Sequence, residues 1–409
     1  MKNNYIGKYV SPTINKHNLI IVRFILVLLT FSTLPTITVL FLLVYLSLTF
    51  KRNIESYIYI FLVVLFVASV NSTKVAESDL SNYYEWYRAL EDIPFIYAYK
   101  FRPTDPVFIY TTSLLTVFDN EKTFLLFWNC LSIGLVLIAC VNINRYLGNV
   151  DNKFLYIQLV AGVFYFSQPE HMSHTTRAFA SLAFMLLAMS YMLSNSKKKY
   201  YLLSFIGIGI HSSSIVLLGQ VLKLRTLIIL LPISYILGIG NLFSIIKALL
   251  NGLSISIFNV YLDYYIYRAS DLTQQVLNTK QFLVFIVELG IVLLLVLFNR
   301  KTYKSPRIYN VLAPFLFISC LVLIFRNVPL FSVRMFLYHN YYFFISLSVA
   351  FIFLKNMHYD RVEIKCLFSL LTSMFFFLMY LYKYIFGSHW TYEVFSDQLL
   401  LSSWFEIVR

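Results

Sequence analysis

The chain has 409 residues, 59% of them hydrophobic and only 13% charged, with a formal net charge of +14. That balance excludes a soluble globular domain, because apolar runs of about 17–25 residues recur along its length and mean many transmembrane helices. The positive charge falls largely in short loops, so it marks topology and attraction to anionic lipid rather than a nucleic-acid module.

In chain order, apolar runs fall at 19–34, 36–50, 54–70, 124–143, 154–166, 175–193, 200–222, 226–246, 282–298, 309–325, 335–354 and 366–386. Pro35 either turns a short hairpin or kinks one long helix. No small-residue cleavage site follows the first run, so no cleaved signal is expected. Cys130, Cys140, Cys320 and Cys366 lie in or beside apolar runs, without the spacing of a metal site or a disulfide framework.

Lysine and arginine concentrate on the cytoplasmic side of membrane helices. Placing Lys51-Arg52, Arg145 with Lys153, Lys197 to Lys199, Lys223 with Arg225, Arg300 to Arg307 and Lys355 to Lys365 there makes the spans alternate, with two exceptions. Both ends of 200–222 are basic and its middle reads Gly207-Ile208-Gly209-Ile210-His211-Ser212-Ser213-Ser214. This predicts a re-entrant hairpin with His211 near its tip, roughly half-way across at ~1.5 Å per residue; a single helix with one buried histidine is the alternative. The segment 105–118 should be a half-inserted or interfacial helix, with Asp105 as N-cap and Pro106 in the first turn. The expected fold is an all-α polytopic membrane protein of about 10–12 transmembrane helices with a re-entrant hairpin and an interfacial helix. It forms one integral membrane domain over 1–409, with external loops at 71–122 and 247–281.

The external face then carries the unusual charges. Arg177 follows Gln168-Pro169-Glu170-His171-Met172-Ser173-His174-Thr175-Thr176 and precedes an apolar run that ends in Lys197 to Lys199. It sits opposite the side favoured for arginine, and an ionisable group set into a span is a functional hypothesis by default. A bound anion would compensate, since helix starts and guanidinium groups both hold phosphate. An ion-paired or interfacial arginine is the alternative. Arg326 and Arg334 flank a short external turn and suit the same phosphate chemistry. His171 and His174 make only a weak metal signal without a third ligand.

Asp79, with Tyr83, Tyr84 and Trp86 following, suits a general base or a ligand for sugar hydroxyls beside rings that stack on sugars; an interfacial helix with an aromatic belt is the alternative reading. Arg102 and Asp105 either pair as a structural cap or leave Asp105 turned into a site. No GxGxxG, P-loop, GxSxG, CxxC or HExxH is present, and no internal repeat supports an inverted-repeat transporter.

With these segments together, the chain resembles the Wzy-type O-antigen and capsule polymerases, in particular the EpsG-like family, from about residue 54 to 392. The resemblance rests on Asp79 with Tyr83, on Asp105-Pro106-Val107-Phe108, on Arg177-Ala178-Phe179-Ala180, on His211-Ser212-Ser213-Ser214 and on Ser332-Val333-Arg334. Asp105 stands where the family usually has glutamate, and Ala178 where it usually has glutamine.

The resemblance implies a GT-C-like architecture and an inverting glycosyltransferase at the external face of the bacterial inner membrane. Its donor and acceptor would be oligosaccharides on undecaprenyl diphosphate, with a flippase and a chain-length regulator as protein partners and no metal or other cofactor. In that chemistry Asp79 is the first candidate base and Asp105 the second. Arg177 and Arg334 hold the diphosphate with Arg326 in support. Tyr83, Tyr84 and Trp86 contact sugar, and His211, Arg102 and His174 support the site from behind. A lipid-linked glycan ligase would use the same cations with another acceptor. A glycolipid flippase would need charges lining both sides of the membrane, whereas here they gather outside.

Overall fold

The computed structural model describes residues 16–74, 79–148, 151–166, 175–239, 278–328, 331–356, 362–386 and 402–408. The predicted sites His171 and His174 and most of the 247–281 loop lie outside these residues. Every regular element among them longer than one residue is helical. The chain is an all-α polytopic membrane protein.

Helices α1 (Lys16–Thr33) and α2 (Pro35–Thr49) are joined by Leu34 alone. They fold back on each other, so that Arg23 and Tyr45, Leu26 and Leu42, and Thr30 and Thr38 face one groove. Pro35 therefore turns a hairpin: it needs no N–H donor at the first helical position. Helix α3 (Ile54–Ser72) starts where the Asn53 side chain accepts from the Ser56 N–H at 3.0 Å. Between α3 and α6 (Glu121–Tyr146) lie α4 (Asp79–Glu91), a 3₁₀ turn (Phe95–Lys100), α5 (Pro106–Leu115) and a second 3₁₀ turn (Thr116–Phe118).

Helix α7 (Asn152–Phe166) follows, then α8 (Thr176–Leu193), α9 (Lys197–Ile210), a 3₁₀ helix (Ser212–Val221) and α10 (Leu224–Ile239). The second half holds α11 (Thr279–Phe298), α12 (Pro306–Phe325), α13 (Phe331–Asn356), α14 (Val362–Phe386) and the short α15 (Trp404–Val408).

Among the described residues six helices are long and apolar enough to cross a bilayer on their own, and α2 and α10 are shorter apolar helices beside them. Phe41, Leu283 and Leu371 are largely exposed. Such faces suit hydrocarbon, where every backbone group must already be paired within a helix.

Two cores organise the packing. The larger runs through α2, α3, α6, α7, α8 and α12 to α14. The smaller lies where the α4–α5 segment caps the bundle, around Leu80, Tyr87, Phe108, Phe124 and Trp128, with the Phe108 and Trp128 rings stacked at 5.1 Å. Tyr87 locks this cap: its hydroxyl donates to the Leu115 carbonyl at 2.9 Å and accepts from the Asn120 N–H at 3.2 Å.

Helix α9 and the 3₁₀ helix after it run antiparallel, with the Tyr200 hydroxyl 3.5 Å from the Leu218 carbonyl. Ser181 of α8 donates to the Gly207 carbonyl at 2.8 Å. Four residues further on, His211 therefore reaches the level of Arg177. The 14 residues of α9 span about 21 Å, a longer rise to the apex than counting from Tyr200 gives. The helix begins earlier, at Lys197, and stays regular through both glycines.

Candidate functional site

Asp105 is the node of the site. It occupies the N-cap position of α5, yet its side chain caps no helical N–H. Instead Oδ2 accepts from Arg177 Nη1 and, at 2.7 Å, from Arg102 Nε. Oδ1 accepts from the Ser212 backbone N–H at 3.0 Å. One carboxylate thus joins α5, the start of α8 and the apex of the α9 hairpin. Its side chain is 1% exposed. The apex can approach this closely because Gly209 has no side chain: a Cβ there would sit 2.5 Å from Val107 Cγ2.

Burial alone would push the Asp105 carboxyl up. The Arg177 guanidinium, the Ser212 N–H, Arg102 and His211 outweigh it and hold it below the ordinary carboxylate range. A carboxyl so depressed contributes stability above its unfolded value of about 4, and that contribution is lost as pH falls through the folded value. The thermal unfolding midpoint should accordingly fall below about pH 4, and the fall should shrink in Asp105→Asn.

Arg177 is also held by rings. Its guanidinium carbon lies 5.0 Å from the Trp86 ring centroid, 5.4 Å from Tyr83 and 5.8 Å from Phe108, and Nε is 3.5 Å from the Tyr83 hydroxyl. Arg102 covers Trp86 at 4.8 Å. Flat stacking over several rings at once favours the planar guanidinium over an ammonium.

Asp79, Tyr83, Arg177, His211 and Arg334 line one narrow cleft, together with Thr175, Ala178, Tyr338 and Tyr341. Asp79 is exposed at the mouth and His211 is buried. Two cations and one open carboxylate, drawn from α4, α8 and α13, can grip a phosphorylated group and accept a proton beside it.

Other predicted residues stand elsewhere. Arg326 packs over Tyr235 at 4.8 Å, away from the cleft. It is drawn there because α10 and α12 meet closely: Asn327 Nδ2 donates to the Gly238 carbonyl at 2.8 Å, and a Cβ on Gly238 would lie 2.0 Å from the Leu323 carbonyl oxygen. Tyr84 turns away from the cleft toward Phe124, with ring centroids 6.5 Å apart. Trp86 has its ring under Arg177 and Arg102, so it is a platform for guanidinium.

Sequence reasoning missed two contributors. Tyr338 and Tyr341 follow Arg334 at helical spacing on the cleft face of α13. It also missed a buried pair outside the cleft lining, with His339 Nδ1 3.0 Å from Glu288 Oε2 and the histidine set between Phe285 and Phe315. A lone carboxylate within the apolar run 282–298 was its available signal.

A family model described as the EpsG family matches residues 57–395. No curated protein and no solved structure matches the chain. The matched span contains every residue that lines the cleft, from Asp79 to Tyr341. With most of its length inside that match, the chain belongs to the EpsG family.

Proposed function

We propose that the cleft joins lipid-linked oligosaccharide repeat units into a polysaccharide. Membership of the EpsG family supports a polysaccharide-polymerase-like function in general. The finer reading is an inverting glycosyltransferase acting at the external face of the bacterial inner membrane on undecaprenyl-diphosphate-linked donor and acceptor. The observation that carries it is the meeting of Arg177, Arg334 and the open Asp79 on one cleft.

The acceptor hydroxyl attacks the anomeric carbon of the donor sugar, and the lipid diphosphate leaves. Arg177 and Arg334 stabilise the charge that grows on the diphosphate, and Asp79 takes the hydroxyl proton. Asp105 is not suited to that task, since its oxygens are already engaged and its proton affinity is lowered. It serves as the counterion that aims Arg177.

Purified protein supplied with lipid-linked repeat units tests this, with products read as a glycan ladder. Arg334→Ala should lower turnover by about 10²–10³-fold, the scale of losing one charge-stabilising donor. Arg326→Ala should stay within about threefold of the parent, since Arg326 packs over Tyr235 outside the cleft. Full ladders from Arg334→Ala at normal protein levels would overturn the diphosphate role.

A further inference from the structure

We propose that His211 is the proton donor to the departing diphosphate, and that it acquires its proton when the diphosphate enters the cleft. The proposal rests on the polymerase reading above and adds a residue to its chemistry.

His211 is 7% exposed and lines the cleft. Neither ring nitrogen has a hydrogen-bond partner. The nearest carboxylate oxygen, Asp105 Oδ1, is 4.0 Å from Nδ1, beyond hydrogen-bond reach, and that oxygen already accepts from Ser212. Buried polar groups are nearly always satisfied. An unsatisfied imidazole facing a cleft of arginines is completed by what the cleft binds, and arginines select an anion.

The charges facing it fix when it is protonated. Asp79 and Tyr83 come from α4, Arg102 and Asp105 from the start of α5, Arg177 from α8, and Arg334, Tyr338 and Tyr341 from α13. Three guanidinium groups against two carboxylates leave an excess of one positive charge, and a further cation on the imidazole is disfavoured. A lipid-linked sugar diphosphate brings two negative charges. The excess then reverses sign, and the imidazolium becomes the favoured form.

The step balances. The bond between the anomeric carbon and the phosphate oxygen breaks, and its electron pair stays on that oxygen, which takes the His211 proton. The acceptor oxygen bonds to the anomeric carbon and gives its proton to Asp79. Asp79 releases that proton to water, and His211 takes one up with the next diphosphate.

The test is titration calorimetry of the full chain in detergent with a short-chain prenyl diphosphate sugar, which has no titrating group between about pH 6 and 8. Running it in two buffers of different ionisation heat counts protons. The wild type should take up a proton on binding, and its affinity should weaken by up to about tenfold per pH unit as pH rises. His211→Gln should bind without uptake and without that slope, more weakly than the wild type at pH 6 with the gap narrowing as pH rises, and should also lose turnover in kcat.

Binding by the wild type without proton uptake would overturn the donor role and leave the polymerase reading intact. Uptake that persists in His211→Gln would assign the proton to another group and overturn it equally. Absence of any binding would remove the polymerase reading itself. The two-buffer measurement on the wild type needs no variant, so a poorly folded His211→Gln does not block the test.

Discussion

Arg177→Ala should abolish polymer formation and also weaken the fold, because one guanidinium serves both the cleft and Asp105. Removing it leaves a carboxylate that is 1% exposed with only Arg102 and the Ser212 N–H. Breaking a buried ion pair from one side costs about 3–5 kcal/mol. Turnover should fall by at least about 10²-fold from lost charge stabilisation.

Arg177→Lys separates the roles. An ammonium keeps the charge but cannot stack on Trp86 while reaching both Asp105 and a phosphate oxygen. It should fold at near-normal yield and still lose most activity. Membrane yield, unfolding midpoint and glycan ladder, read together, check this; a normal ladder from Arg177→Lys would contradict it.

The second large effect is expected at Asp105. Asp105→Asn keeps the shape and an oxygen for the Ser212 N–H, but leaves Arg102 and Arg177 without their counterion. Its main consequence should be a lowered unfolding midpoint, with activity lost because Arg177 is no longer aimed. Asp79→Asn should do the opposite: normal stability and a turnover drop of about 10²–10⁴-fold, the range of a lost general base. If Asp105 were the base, its asparagine variant would be stable and inactive. Asp105→Ala with Arg177→Ala should cost less stability than the two single changes added, by about 0.5–3 kcal/mol for groups in direct contact.

Arg177 and Arg334 stand out because arginine at the ends of apolar runs opposite the basic loops is unexpected, and Asp79 because aromatic residues follow it. Asp105 was equally visible, but its role depends on how α5 meets α8 and the α9 hairpin. That contact is set by the missing side chain of Gly209 and by a backbone N–H at Ser212, and no residue type encodes a backbone donor. Arg326 misled because which side a helix end presents follows from its closest neighbour, here α10 at Gly238. The rise to the hairpin tip is longer than a count from Tyr200 gives because the helix already starts at Lys197, a boundary that the apolar run does not mark.

The shared carboxylate also sets a schedule for biosynthesis. Asp105 leaves the ribosome 72 residues ahead of Arg177 and 107 ahead of Ser212. At about 5–20 residues per second, it waits roughly 5–20 s for the last of its partners. Until then the cap rests on α6 through Phe108 and Trp128, Asp105 lacks its partners on α8 and the α9 hairpin, and the half-made chain can hold no functional cleft. Nascent chains stalled before residue 212 should therefore expose the 102–108 segment to protease or to thiol labelling at an introduced cysteine, and chains released past that point should shield it.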